Sequence, residues 1–199
     1  MSANQYKNNN VSIRLRSGGH SFSPNDIAAF MSMTGGEASP KFEIVTPKTT
    51  LVPAMMFDKQ SAEEYLAFVG IAPADDEVVV FSEAIHDKVA VMAMNRECHL
   101  QLSLTFGSNM TFTSPLIEGH QPMQGAIVEL VDDVLYVRIF NGQLIFGEAV
   151  AVANDADLRY VVEKINRVYN IYNMHVRARG NVDRLVKCCD MKFKDLLRE

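Results

Sequence analysis

Gly125-Ala126-Ile127-Val128-Glu129-Leu130-Val131-Asp132-Asp133-Val134-Leu135-Tyr136-Val137-Arg138-Ile139-Phe140-Asn141-Gly142-Gln143-Leu144-Ile145-Phe146 is the stretch whose reading decides the fold. Ala126 to Leu130, Val134 to Phe140 and Gln143 to Val152 are apolar, β-branched runs that favour strands. Asp132-Asp133 and Asn141-Gly142 separate them, and Asn-Gly is a strong short hairpin signal because both residues tolerate positive φ. The three runs predict an antiparallel meander. Asp155 then reads as the cap of a helix to about Asn170, with Leu158, Val161, Val162, Ile165 and Val168 on one stripe. A strand at Tyr172 to Ala178, the pair Gly180-Asn181 and a last helix from Val182 to about Leu197 complete the block.

Upstream the signals are less regular. Val11, Ile13 and Leu15 alternate with Ser12, Arg14 and Arg16, and Ser17-Gly18-Gly19 follows as turn chemistry, so a hairpin with a return strand over His20 to Ser23 is expected. Asn25 to Met33 reads as a short helix and Thr34 to Pro40 as a loop. Phe42, Ile44 and Leu51, Pro53 bracket Pro47-Lys48-Thr49 as a second extended pair. Asp58 is positioned to cap a helix from Lys59 to Val69, with Ala62, Tyr65, Leu66 and Val69 on one face and Gly70 closing it. Glu77 to Ser82 and Lys88 to Met94 read as paired strands about the Ile85-His86-Asp87 corner. From Cys98 to Phe106, Leu100, Leu102 and Leu104 alternate with polar residues; this argues strand, with a leucine-striped helix as the other reading.

The chain has 199 residues, 48% of them hydrophobic, enough to fill one large core or two small ones. A net charge of -5 disfavours wholesale binding to nucleic acid or an anionic membrane, both of which call for a basic surface. The segment 1–10 is polar and Asn-rich, without the apolar core of a signal peptide, and reads as a disordered leader. No apolar run approaches the ~18 residues needed to span a bilayer. Three cysteines, two of them adjacent, make a poor disulfide framework and suit a reducing compartment. The expected setting is cytoplasmic. The 11 methionines read mainly as core packing.

Strand, strand, strand, helix, strand, helix is the core order of a ribonuclease H-like domain, and two such halves make an actin-like ATPase. The expected fold class is therefore α/β with mixed sheets: a reduced actin-like architecture of two ribonuclease H-like halves, 11–122 and 123–199. Val11-Ser12-Ile13-Arg14-Leu15, Thr50-Leu51-Val52-Pro53, Thr113-Ser114-Pro115-Leu116 and the final hairpin-to-helix block carry a further likeness. In them the chain resembles an uncharacterised bacterial family of the actin-like ATPase superfamily, which also holds sugar kinases, chaperone ATPases and pilus-assembly scaffolds.

That resemblance implies a candidate ligand cleft at Ser17, Gly18, Gly19, Glu129, Asp132 and Gly180. Active members hold ATP phosphates between two glycine-containing hairpins, each with an acid that positions Mg²⁺ or water, because backbone N–H groups must come close. Here the strand before Gly18-Gly19 carries Arg14 and Arg16 where a carboxylate is wanted. Glu129 can stand for the second acid, but Val131 occupies the glycine position, and Asp132-Asp133 would repel a polyphosphate. Gly180-Asn181 is what remains of the adenosine-contacting element. The expectation is no catalytic residue, no metal, no cofactor, and a scaffold or ligand- and protein-binding module whose partner is another protein or a second copy of the chain. A divergent ATPase or phosphotransferase using Gly18, Gly19 and Glu129 is the alternative.

Other reactive residues have plainer readings. A nuclease-like acidic cluster of Glu129, Asp132 and Asp133 would also need acids on the first strand and in the last helix; Asp183 is available for the helix, but the strand is not acidic, and turn aspartates bond their own backbone. His86-Asp87 sits at a turn, His20 flanks a hairpin, and His99, His120 and His175 lack metal-ligand spacing with the cysteines. Cys188-Cys189 beside Lys187 reads as buried packing. Arg177, Arg179, Arg184, Lys187, Lys192, Lys194 and Arg198 interleave with acids as a solvated face.

Overall fold

The computed structural model describes residues 12–16, 40–189, 193 and 195–198. In chain order the strands and helices are β1 (Ser12–Arg16), β2 (Lys41–Val45), β3 (Thr49–Pro53), α1 (Ala62–Phe68), β4 (Glu77–Phe81), β5 (Lys88–Asn95), α2 (Arg96–Phe106) and β6 (Thr111–Thr113). There follow β7 (Gln124–Val131), β8 (Val134–Asn141), β9 (Gln143–Ala151), α3 (Asp155–Tyr169), β10 (His175–Gly180), α4 (Val182–Cys188) and β11 (Asp195–Arg198). They form three sheets, of order β1-β2-β6, β3-β5-β4 and β11-β10-β7-β8-β9. The expected helix at Asn25 to Met33, the return strand His20 to Ser23 and the leader 1–10 lie outside the described residues.

The meander is present as read, β8 antiparallel to both β7 and β9, with β10 and β11 added in parallel on the other side. Alternate residues of these strands face α3 and α4. Ala126, Val128, Leu130, Leu135, Val137, Ile139, Val176 and Ala178 bury against Leu158, Val162, Ile165, Leu185 and Cys188. Each large aliphatic removed from water there contributes ~1.5–3 kcal/mol before chain entropy is charged against it. The opposite face is buried as well, which is why β7 and β8 read as near-continuous apolar runs rather than half-exposed strands.

The amino-terminal strands are arranged less locally. β1, β2 and β6 run parallel to one another although long segments separate them in sequence. β4 and β5 pair as expected about a corner in which His86 and Asp87 both have positive φ. The extended pair at Phe42, Ile44 and Leu51, Pro53 is real as strands but does not pair with itself: β2 lies between β1 and β6, and β3 joins β5. Thr46 to Lys48 switch the chain between sheets, with Thr46 Oγ1 accepting from Lys48 N–H and the Lys48 carbonyl from Ala93 N–H. Asp58 caps a 3-10 turn, Lys59–Ser61, through a bond from Gln60 N–H at 3.0 Å; the α-helix itself starts only at Ala62, and Gly70 closes it at φ 78°. Val69, expected on the inner face, is half exposed.

Three further expectations need correction. Residues 96–106 are helix, not strand. Cys98, Leu102 and Phe106 recur every fourth residue, a spacing that satisfies both periods, and they turn inward while Leu100 and Leu104 stay exposed. Asn95 breaks the tie by capping the helix, its side chain accepting from Cys98 N–H at 3.1 Å. Asn95→Ala is therefore expected to lose ~1 kcal/mol in urea unfolding, whereas a residue at a strand end would lose almost nothing. The cap of α3 is Asn154 rather than Asp155; it accepts from Ala156 and Asp157 N–H. The last helix ends at Cys188, and the chain finishes as β11 against β10. Leu196 packs on the core and Phe193 meets Tyr172 edge-on at 5.2 Å, while β11 pairs along what would be the open edge of β10.

Candidate functional site

The face of β7 and β8 that turns away from α3 carries Val131, Val134, Tyr136, Glu129, Ile127 and Arg138 in two adjoining columns, paired Val131↔Val134, Glu129↔Tyr136 and Ile127↔Arg138. It meets the amino-terminal strands directly. Val131 and Val134, flanking the turn where the resemblance would place a phosphate, are buried with Val45 and Leu116 in one cluster. Tyr136 is clamped to Thr46: its hydroxyl accepts from Thr46 N–H at 2.8 Å and donates to the Thr46 carbonyl at 3.2 Å. Burial pushes its phenol well above the ordinary value, so it stays a neutral donor.

Glu129 sits in the middle of this face, 5% exposed. Arg14 of β1 reaches it with Nη2 at 2.8 Å and bonds Glu43 of β2 through Nε. Burial alone would lower the Arg14 guanidinium; the two carboxylates outweigh that and hold it above its usual range. One cation thus neutralises two buried acids from different sheets. The position where the resemblance asks for a metal-positioning carboxylate is filled by the arginine that occupies Glu129.

Gly180 and Asp132 are brought close to Glu129, since Gly180 pairs with Leu130 at the same end of the sheet. Gly180 serves the packing of the strands. A Cβ on Gly180 would lie 2.1 Å from the Leu130 carbonyl oxygen, at φ 71°, so the glycine is required by the approach of β10 to β7. Asn181 N–H donates to the same oxygen at 2.8 Å and its side chain caps α4. Asp132 holds the turn at φ 52°. Asp133 accepts from Arg184, which also binds Asp155, so turn, α3 and α4 are tied together at the surface. Arg184 holds the Asp155 carboxyl below its usual range. Ser17, Gly18 and Gly19 lie outside the described residues.

Two side chains where this face meets the amino-terminal strands were not singled out by sequence reasoning. Glu43 hides in Phe42-Glu43-Ile44, and Arg138 is a charge inside Val134 to Phe140. A lone charge in an apolar run is the signal that finds such residues, because burying it demands a partner. Glu118 belongs to the same region: burial alone would raise its carboxyl, but Lys41 and Thr113, with the Gly119 N–H, hold it below the ordinary value. Glu77 is held down in the same way by Lys48 and the Ala74 N–H. Both carboxylates therefore stabilise the fold above pH ~4.5, and that contribution is lost as pH falls through their lowered values.

The remaining candidates do not assemble. Cys98 and Cys188 thiols are pushed up by burial, away from reactive thiolate, and Lys187 does not reverse this for Cys188. His86 and Asp87 are exposed at their turn, while burial lowers His99 beside the Phe112 ring. His175 bonds Asp195 at the surface. The basic carboxy-terminal residues are spread over β10, α4 and β11, with Arg198 paired to Asp183; Lys192 and Lys194 lie outside the described residues. Among the described residues no three His, Cys, Asp or Glu side chains converge as a metal-ligand set, and no helix is long and apolar enough to cross a membrane.

Mixed α/β layering in three sheets, with a five-stranded sheet meeting the amino-terminal strands face on, is the arrangement of an actin-like ATPase fold. The chain has that fold: it superposes on a Bacteroides thetaiotaomicron protein with actin-like ATPase fold and unknown function, TM-score 0.66, 12% identity, over 86% of this chain and 75% of that one. Weaker likenesses are to the cytoplasmic domain of EpsL, an inner-membrane component of the Vibrio cholerae type II secretion system (TM-score 0.48, 16% identity, 85% of this chain and 81% of that one), and to an AlfA filament bound to AMPPNP (0.41, 12%, 87% and 57%). No protein-family model matches the chain. No curated protein matches it either.

Proposed function

We propose that the chain is a non-catalytic protein of the actin-like fold, with two ribonuclease H-like halves at 11–122 and 123–199, serving as a scaffold or ligand- and protein-binding module. The order β9-β8-β7-β10-β11 with its two helices supports the ribonuclease H-like reading of the second half. A cytoplasmic setting fits Cys98, Cys188 and Cys189, none of which forms a disulfide.

The observation that carries the reading is the engagement of Glu129. An acid that positions Mg²⁺ or water must present its oxygens to that ligand, and a metal beside it must not face a fixed cation. Glu129 is buried and bonded to Arg14, while Val131 and Val134 fill the adjoining space with Val45 and Leu116. Bringing a triphosphate there would mean parting the buried Glu129 carboxylate from the half-exposed Arg14 and opening an apolar contact. Phosphate release from ATP, followed with purified protein and Mg²⁺, is expected to match the buffer blank. Hydrolysis that disappears in Glu129→Gln would reinstate the ATPase reading.

A further inference from the structure

Arg138 is 1% exposed and makes one hydrogen bond, from Nη1 to the Glu118 carbonyl at 2.6 Å. Its Nη2 is buried with no partner. The three acids around it are engaged elsewhere: Glu129 and Glu43 bond Arg14, and the Glu118 carboxylate bonds Lys41 and Thr113 Oγ1. Burial, with Arg179 close by, pushes the guanidinium down to about 10, so it is still charged at neutral pH. A buried guanidinium with an orphaned nitrogen is costly unless something supplies the missing acceptor.

A second guanidinium converges on the same peptide. Gly119 follows the residue whose carbonyl holds Arg138, and a Cβ there would come within 3.1 Å of Arg179 Nη1. The missing side chain makes the room that Arg179 occupies. Gly119 and His120 are exposed and Arg179 is partly exposed, so the site lies near the surface although Arg138 itself is buried. Along β8 this point lies four residues from Val134, about 13 Å from the turn where the resemblance places nucleotide phosphates.

We propose that Arg138 and Arg179, beneath the Glu118–Gly119 peptide, form a site for one small oxyanion, a phosphate or a carboxylate. Oxyanions offer several acceptors in a plane or tripod that guanidinium forks match, and they neutralise charge that a water molecule would leave in place. The proposal rests on the ligand-binding reading above and names the chemistry of its ligand.

The test is thermal unfolding against inorganic phosphate and, separately, acetate, with ionic strength held constant by sodium chloride. The wild-type midpoint is expected to rise saturably with at least one anion. Phosphate alone would assign a phosphate site and acetate alone a carboxylate site. Arg138→Met, which removes the buried charge with little change in bulk, is expected to fold at least as stably without anion and to lose the response. Arg179→Gln should weaken it at least tenfold, and serves alone if Arg138→Met does not fold. A wild-type protein indifferent to both anions, or variants that respond as the wild type does, would overturn the proposal. Neither nucleotide nor Mg²⁺ is present, so this failure leaves the non-catalytic reading intact, and ATP hydrolysis would sink that reading without touching this one.

Discussion

Arg14→Met should destabilise the protein by ~2 kcal/mol at neutral pH, because it strands two buried carboxylates while conserving most of the side-chain volume; the loss is smaller than for a wholly buried pair because the Arg14 side chain is 42% exposed and water screens part of the charge. Glu129 and Glu43 are both nearly buried, and Arg14 is the only cation bonded to either among the described residues. The loss is read from urea unfolding at pH 7. The double variant Arg14→Met with Glu129→Gln should recover part of it, because one of the stranded charges is gone. A double variant as unstable as Arg14→Met alone would mean that Arg14 contributes packing rather than charge.

Gly180→Ala is the second large effect, expected at ~3 kcal/mol or more. Left-handed backbone costs an alanine ~1 kcal/mol, and a Cβ 2.1 Å from the Leu130 carbonyl oxygen cannot be relieved by rotating a side chain, since both partners are backbone. Either β10 moves away from β7, breaking the Asn181 N–H bond to that same oxygen, or the protein does not fold. Gly142→Ala is the control: its φ is 74° but nothing lies within 4 Å of the added Cβ, so only the conformational term applies. Equal losses at the two positions in thermal melts would show that strand approach is not what Gly180 serves. The comparison matters because a glycine beside a cleft invites a ligand-contact reading, and here strand packing accounts for it.

What was legible in the sequence follows from how local each signal is. β7, β8 and β9 are joined by tight turns, so Asp132-Asp133 and Asn141-Gly142 sit beside the residues they pair, and the meander could be read at sight. β1, β2 and β6 pair across intervening segments, and no local pattern announces a parallel partner dozens of residues away. Residues 98–106 went wrong because leucines at every second position include every fourth, and Asn95 carried the deciding cap. The candidate cleft divides along the same line. Arg14 in place of an acid, and Val131 in place of a glycine, were visible as departures. That Arg14 itself bonds Glu129, 115 residues on, depends on the meeting of two sheets. Arg138 was visible as a charge among apolar neighbours, but its single hydrogen bond could only be learned from its surroundings.

Titration of the protein with ATP and Mg²⁺ in a calorimeter tests most directly the claim that Arg14 and the Val131–Val45–Leu116 contact occupy the space a nucleotide would need. The account predicts no saturable heat. Saturable heat that survives Arg138→Met but vanishes in Glu129→Gln would contradict it, because Glu129 would then be serving a nucleotide rather than the joint between the sheets.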